Sequence, residues 1–451
     1  MTGIRGYLGE IISNSYNIGA LRVQKQIGKI KNVINYLMVF NFFTGAFVIN
    51  NGFFDFYVNY VFMAFFMCVY ILFYHKISFS RSFVCVLAVA VFLSFLNVLW
   101  GNNTIPLLLK TTIAFVLNGT VYYLLIRMNN YDINQLFRIY LRIACIIALI
   151  GIFQELSFLV KFKPGYDFRF FIPRMVKPDS RSGLLCVTSI LQEPAHFGAV
   201  IMPAIFVSIL NILKWKNNFI SRKSSFVVVI SAMLTFSLVA YAGIIVAVIA
   251  IVSNCKQVRL ILWSAVILIV FSCSVYKGVP MVKLKVDDTV AVLRGKKPLH
   301  ETNLSTFAIC SNGFVAYKSF VNNPWFGSGL GSHPISYDRY IAQAVDPLKI
   351  IQVLNRTDAA SLLLRLVSEM GLFGLLLFFY FIIKFYVSKK RNDYYWMISN
   401  AILCLFIVNL LRQGNYFYSG FIFFVWAYYF TDKNARIKKI DNGKAARGIN
   451  T

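Results

Sequence analysis

Acidic side chains are scarce in this sequence. Its 451 residues hold 17 Asp and Glu against 45 Lys and Arg, and only 14% of all residues are charged. A soluble domain carries about 25% charged residues, so the polar surface that keeps a protein in water is missing. Histidine is rarer still, at four. No Asp-x-Asp pair and no His/Cys cluster has metal-ligand spacing. The eight cysteines fall mostly within apolar stretches and read as small hydrophobes. Cys186 and Cys310 alone lie in segments expected on the external face of a membrane, where a disulfide between them is an open alternative. No internal repeat or low-complexity tract interrupts the chain. Met1 to Lys31 is polar and basic, without the short apolar core and small-residue cleavage site of a secretory signal.

What is present is apolar surface: 58% hydrophobic residues, 17% aromatics and a mean hydropathy of +0.67. These values predict an all-α, polytopic integral membrane protein. A span takes about 20 apolar residues. Apolar stretches run over 33–49, 55–74, 82–100, 105–126, 138–160, 193–213, 225–238, 240–254, 258–276, 369–388, 394–411 and 415–431, which makes about twelve transmembrane helices. The run 225–254 is too long for one span, and is split at Val239–Tyr241.

Charge supports that split. The formal net charge of +28 raises the question of nucleic acid, but the cations gather in short loops between spans, as the positive-inside rule requires. No nucleic-acid partner is expected. With the N-terminus inside, alternate loops hold Arg22, Lys25, Lys29 and Lys31; Lys76 and Arg81; Arg127 and Arg138; Lys214, Lys216, Arg222 and Lys223; Lys256 and Arg259; Lys389, Lys390 and Arg391; and the tail Lys433, Arg436, Lys438 and Lys439. Merging the 225–254 pair would invert everything after it. The expected organisation is a cytoplasmic segment 1–32, spans one to nine over 33–276 with an external loop at 161–192, a large external loop 277–359, spans ten to twelve over 360–431, and a basic cytoplasmic tail 432–451.

Two external segments are long and basic. Long loops cross regardless of charge, so the topology stands, and the question becomes why cations collect there. The first holds Arg169, Arg174 and Arg181 and leads into Glu193-Pro194-Ala195-His196. Proline fits the first turn of a helix, which puts Glu193 at the cap and His196 one turn inside. A carboxylate and an imidazole beside arginines suit acid/base work next to a phosphate. The same residues also fit a capped helix start with a core histidine. The second segment carries the run Pro324-Trp325-Phe326-Gly327-Ser328-Gly329-Leu330-Gly331-Ser332-His333, followed by Asp338, Arg339, Arg356 and Asp358. Its glycines allow positive φ or close backbone approach, and a turn before a helix is the default reading. Arg365 and Glu369 are spaced i,i+4 and read first as a helix pair.

These stretches, on about twelve spans, resemble the Wzy-type oligosaccharide repeat-unit polymerases of O-antigen and capsule synthesis. The residues that carry the resemblance are Arg181-Ser182-Gly183 leading to Glu193 through Gly198, Gly327 to His333, Asp358 to Gly374, and Leu234-Thr235-Phe236-Ser237 with Tyr241-Ala242-Gly243. In the related O-antigen ligases an arginine soon follows the Thr-x-Ser element, where this chain has Leu238. The ligases also place a histidine where this chain has Asp358. Both differences point to polymerase over ligase. The Arg-x10-Gly spacing described for some polymerases is absent at Arg174, Arg181 and Arg356.

The resemblance implies a glycosyltransferase of the bacterial inner membrane, with both termini cytoplasmic. Its substrates are glycans linked to undecaprenyl pyrophosphate, and a chain-length regulator is a further partner left open. A sugar hydroxyl of one lipid-linked unit attacks the anomeric carbon of another and expels the lipid diphosphate. The leaving group requires fixed cations, for which Arg181, Arg339 and Arg356 are the candidates, with Arg169 and Arg174 behind them. The hydroxyl requires a base, for which Glu193, His196 and His333 are the candidates. Asp358, Arg365 and Glu369 are expected in support at the outer interface. No cofactor or metal is expected. On this reading Glu193, His333 and Arg356 should border one cavity opening at the outer leaflet. The competing readings are a lipid-linked glycan flippase, which calls for charges at mid-membrane and broken helices, and the ligase. Loop arginines can also serve as contacts to lipid headgroups.

Overall fold

The computed structural model describes residues 26, 28–50, 55–213, 219–254, 258–346 and 353–446. The N-terminal cations Arg22 and Lys25, and the loop lysines Lys214, Lys216 and Lys256, lie outside the described residues. The chain is all-helical, with 73% of residues in helix and 2% in strand. The helices are α1 (28–40), α2 (Val58–Tyr74), α3 (Arg81–Leu99), α4 (Ile105–Met128), α5 (Ile133–Leu159), α6 (Pro194–Val200), α7 (Met202–Ile212) and α8 (Arg222–Met233). They continue as α9 (Leu238–Val252), α10 (Val258–Gly278), α11 (Pro280–Leu293), α12 (Leu304–Asn322), α13 (His333–Ala344), α14 (Leu362–Phe385), α15 (Asp393–Arg412) and α16 (Phe421–Ala446). Two small antiparallel hairpins join them, β1 (Val48–Asn50) with β2 (Asp55–Tyr57) and β3 (Ser180–Arg181) with β4 (Leu184–Leu185).

Each expected apolar stretch overlaps a helix, but the helices do not amount to twelve full spans. Among the described residues, five are long and apolar enough to cross a membrane: α3, α4, α5, α14 and α15. The number rises to seven if two bent pairs each count as one span. The pair α6 and α7 bends by 63°. Pro203 stands in the first turn of α7, where it has no N–H to continue the ladder from α6. The pair α10 and α11 bends by 97° at Val279–Pro280. That turn lays the charged helix α11 across the apolar helix α10 rather than along it.

The break in 225–254 falls at Leu234–Ser237, a few residues before the expected Val239–Tyr241. Helices α8 and α9 have 12 and 15 residues, about 18 and 22 Å at 1.5 Å per residue. Both fall short of a hydrocarbon layer of about 30 Å. Glycines let their neighbours close in. A Cβ at Gly198 of α6 would stand 2.8 Å from the Ala240 side chain of α9, the small-residue contact that membrane helices use. One large apolar core unites α1, α2, α4 to α9 and α14 to α16, with Tyr140, Phe206, Trp396, Phe406 and Phe424 fully enclosed.

Helix α14 starts at Leu362 and breaks at Gly371 (φ 59°, ψ −151°). The Gly-rich run fills that break. The N–H groups of Ser328 and Gly329 donate to the carbonyls of Ser368 and Glu369, and those of Leu372 and Phe373 donate to the carbonyls of Pro324 and Trp325. A break would leave these groups without partners in an apolar setting, and the strap supplies all four. Gly327 has φ 65°, and a Cβ there would fall 2.5 Å from backbone atoms of Glu369 and Met370. The close approach that the glycines permit is to a helix of the same chain.

Candidate functional site

The two long connections meet. The first lies between α5 and α6, and the second between α10 and α14. They face each other across a cavity of about 550 Å³. The first connection supplies Arg181 and Glu193, and the second supplies Lys285, Thr289, Ser305, Thr306 and Ile309. The α8–α9 turn closes one side with Thr235 to Val239, and the end of α15 closes another with Val408, Leu411 and Arg412.

Arg181 is placed by its hairpin. Ser182 and Gly183, with φ 52° and 80°, form the two-residue turn with both φ positive that suits a tight hairpin. The hairpin is tied down at its far strand. The Leu185 N–H donates to Glu155 Oε2 at 2.9 Å, and the Val187 N–H donates to the Leu234 carbonyl at 3.0 Å. Arg181 Nη1 donates to the Phe236 carbonyl at 2.6 Å, and its Nε lies 3.7 Å from Asp179 Oδ2.

Glu193 is the N-cap of α6 and Pro194 the first helical residue, as expected, but the Glu193 side chain makes no cap hydrogen bond. Its carboxylate reaches into the cavity instead, 3.3 Å from His196 Nε2. His196 stands behind Glu193 rather than on the cavity wall. Its ring packs 4.8 Å from that of Tyr418, whose hydroxyl donates to Gln192 Oε1 at 2.9 Å. His196 Nδ1 is buried, with no hydrogen-bond partner among the described residues. Asp358 lies close enough to act electrostatically on both His196 and Tyr418. Its carboxylate accepts from Asn355 Nδ2 at 2.8 Å and from the Ala360 N–H at 3.3 Å.

Of the trio Glu193, His333 and Arg356, only Glu193 lines the cavity. His333 is fully buried, with Nδ1 2.9 Å from Ser368 Oγ and Nε2 2.9 Å from Asn312 Oδ1. Burial, reinforced by the Arg365 charge, pushes it down to about 3, so it stays neutral at physiological pH. It belongs to the packing between α12, α13 and α14 and is not a base at this cavity. Arg356 forms a two-pronged pair with Asp338. Arg339 donates to the Gly101 carbonyl and Asn102 Oδ1, pinning α13 to the α3–α4 loop. Arg169 pairs with Asp167 at 2.8 Å, and Arg174 donates to the Tyr57 hydroxyl at 2.8 Å. None of these four arginines lines the cavity. Arg365 and Glu369 form the expected helix pair at 3.0 Å, buried, with Arg365 stacked 4.2 Å over the Tyr416 ring. Cys186 and Cys310 are free thiols.

Lys285 and Arg412 are two site residues that do not stand out in the sequence. Both line the cavity, and neither pairs with a carboxylate among the described residues. Arg412 Nη1 is buried without a hydrogen-bond partner there. A signal for Arg412 was present: by the charge count it is an arginine at the outer end of an apolar helix, where topology gives no reason for one. Lys285 sits in Lys-Leu-Lys-Val-Asp-Asp, which reads as an ordinary solvated face. In the fold, burial and the charges of Arg181 and Arg412 push it down to about 8.

The site therefore gathers three cations and one carboxylate against an apolar wall of Leu238, Val239, Val286, Val290, Ile309 and Leu411. That arrangement suits an anion with an apolar tail. No family model matches the chain, and no curated protein matches it.

Proposed function

We propose that this chain is a membrane glycosyltransferase that polymerises undecaprenyl-diphosphate-linked oligosaccharide units into O-antigen or capsular polysaccharide. It acts at the outer face of the bacterial cell membrane, on a polytopic helical topology with both termini cytoplasmic. One observation carries the reading: two basic connections, with helices α6 to α10 between them in sequence, converge on a cavity with three cations, one carboxylate and an apolar wall.

The chemistry follows from those groups. The acceptor hydroxyl approaches Glu193, which takes its proton, and His196 behind it holds the carboxylate in place. The new bond forms at the anomeric carbon while the bond to the lipid diphosphate breaks. Negative charge grows on the departing diphosphate, and Arg181, Lys285 and Arg412 stand where that charge is stabilised. The prenyl tail lies along Val286, Val290 and Leu411. His333, Arg339 and Arg356 have no part in this mechanism.

The test is surface glycan in cells carrying Arg181→Ala, Glu193→Gln, Lys285→Ala or Arg412→Ala, with expression checked. The expected result is loss of the polymer ladder with retention of a single-unit form. Loss of all surface glycan identifies a flippase instead, and unchanged ladders in all four end the proposal.

A further inference from the structure

The acids nearest Lys285 in sequence are not its partners in space. Asp287 accepts from the Tyr276 hydroxyl at 2.6 Å. Asp288 accepts from Lys297 Nζ at 2.7 Å and from the main-chain and side-chain N–H groups of Asn303 at 2.8 Å each. Lys283 is exposed. The helix itself is held: Thr306 Oγ1 of α12 donates to the Lys285 carbonyl at 3.2 Å, and Val279 and Val282 pack against Tyr241 of α9. Helix α12 offers the cavity only Ser305, Thr306 and Ile309. The charged and titratable groups that act on Lys285 are therefore Arg181 from the β3 hairpin, Arg412 from α15, Glu193 at the head of α6, and the Cys186 thiol. Cations outnumber carboxylates there by three to one.

Two of those cations are guanidiniums and cannot discharge. The third is an ammonium, which titrates readily when buried. We propose that Lys285 is the adjustable cation of this site: above neutral pH it gives up its proton to solvent when the cavity is empty and regains one when a lipid diphosphate binds. Binding the leaving group then consumes a proton, and releasing it returns one. As pH rises above neutral the empty site sheds the third of its like charges, whereas the occupied site keeps all three. Burial and the two guanidiniums already push Lys285 down to about 8, and a dianion among them reverses that push. This inference rests on the cavity being the diphosphate site.

The experiment is calorimetric titration of the full-length protein in detergent with inorganic pyrophosphate and with farnesyl diphosphate. Each is run in two buffers of different ionisation enthalpy. Wild type is expected to take up about half a proton more at pH 8 than Lys285→Arg, and to bind about tenfold more weakly at pH 9 than at pH 7, relative to that variant. The ionisation of the ligand itself is common to both proteins and cancels. Lys285→Arg is expected to keep its affinity across this range, and Lys285→Ala to bind weakly throughout. Equal proton uptake in wild type and Lys285→Arg overturns the inference while leaving the diphosphate site intact. If neither probe binds wild type, the diphosphate reading fails and takes this inference with it.

Discussion

Arg181 grips the carbonyl of Phe236, a residue held at φ 47°. A bulky residue at positive φ is strained by about 1–3 kcal/mol and persists where its surroundings over-determine it. Here the strained turn presents its carbonyl to Arg181, so one prong of the guanidinium is used for position and the rest remains for the cavity. A lysine keeps the charge but cannot do both. Arg181→Lys is expected to lower polymerisation about tenfold and Arg181→Ala at least a hundredfold, read as polymer formed per unit of expressed protein. Equal activity in Arg181→Lys and wild type would mean that the fork geometry is irrelevant.

The strap over α14 predicts a contrast between two glycines. Gly327 has positive φ and backbone atoms 2.5 Å from a built Cβ, whereas Gly313 in α12 has nothing within 4 Å. Gly327→Ala forces the strap off the Gly371 break and is expected to cost about 3 kcal/mol or more, with a clear fall in melting temperature in detergent. Gly313→Ala removes a flexible residue from a helix interior and is expected to be neutral or to gain up to about 1 kcal/mol. Similar melting temperatures for the two variants would show that the strap does not hold α14.

Much of the fold was legible because hydropathy marks helices one stretch at a time. The α5 and α15 helices follow directly from it, and Glu193-Pro194 marked the head of α6 by cap chemistry alone. Span number was less legible, because α8 and α9 are too short and α6/α7 and α10/α11 bend. The site was half legible. Arg181 and Glu193 stood out because a charged residue beside an apolar run is unusual. His333 stood out at the end of the Gly-rich run and is structural, since burial with two neutral partners leaves no trace in sequence. Lys285 was hidden because the acids beside it in sequence, Asp287 and Asp288, are spent on Tyr276, Lys297 and Asn303.

The pair Arg365 and Glu369 supports a stability prediction. Arg365 Nε donates to Glu369 Oε1 at 3.0 Å and Nη1 to the Gly414 carbonyl at 3.1 Å, while the Tyr416 hydroxyl donates to Glu369 Oε2 at 3.1 Å. Removing one member of a buried pair leaves an uncompensated charge, which costs about 3–5 kcal/mol, whereas replacing both with apolar residues costs far less. Glu369→Leu and Arg365→Met are each expected to lower thermal stability sharply, and the double variant to recover much of the loss. A double variant as unstable as the sum of the singles would contradict this account.

His333 gives a pH prediction. Its folded value near 3 lies below the ordinary 6.5, so between those values the unfolded chain binds a proton that the folded chain refuses. Stability contributed in this way is complete above about pH 6.5 and is lost as pH falls towards 3, at up to about 1.4 kcal/mol per pH unit. Asp288 is held below its ordinary 3.8 by Lys297, so it adds to the loss only at the acid end of that window. Thermal unfolding of wild type between pH 7 and 4.5 is therefore expected to show a steady fall in melting temperature. His333→Gln cannot take up the proton, so although it starts from lower stability its profile is expected to be flatter across the same range. Because the neutral ring is bonded on both sides away from the cavity, the pH dependence of polymerisation is expected to stay the same in this variant. A variant that kept the wild-type acid slope, or that shifted the pH profile of polymerisation, would return His333 to the chemistry.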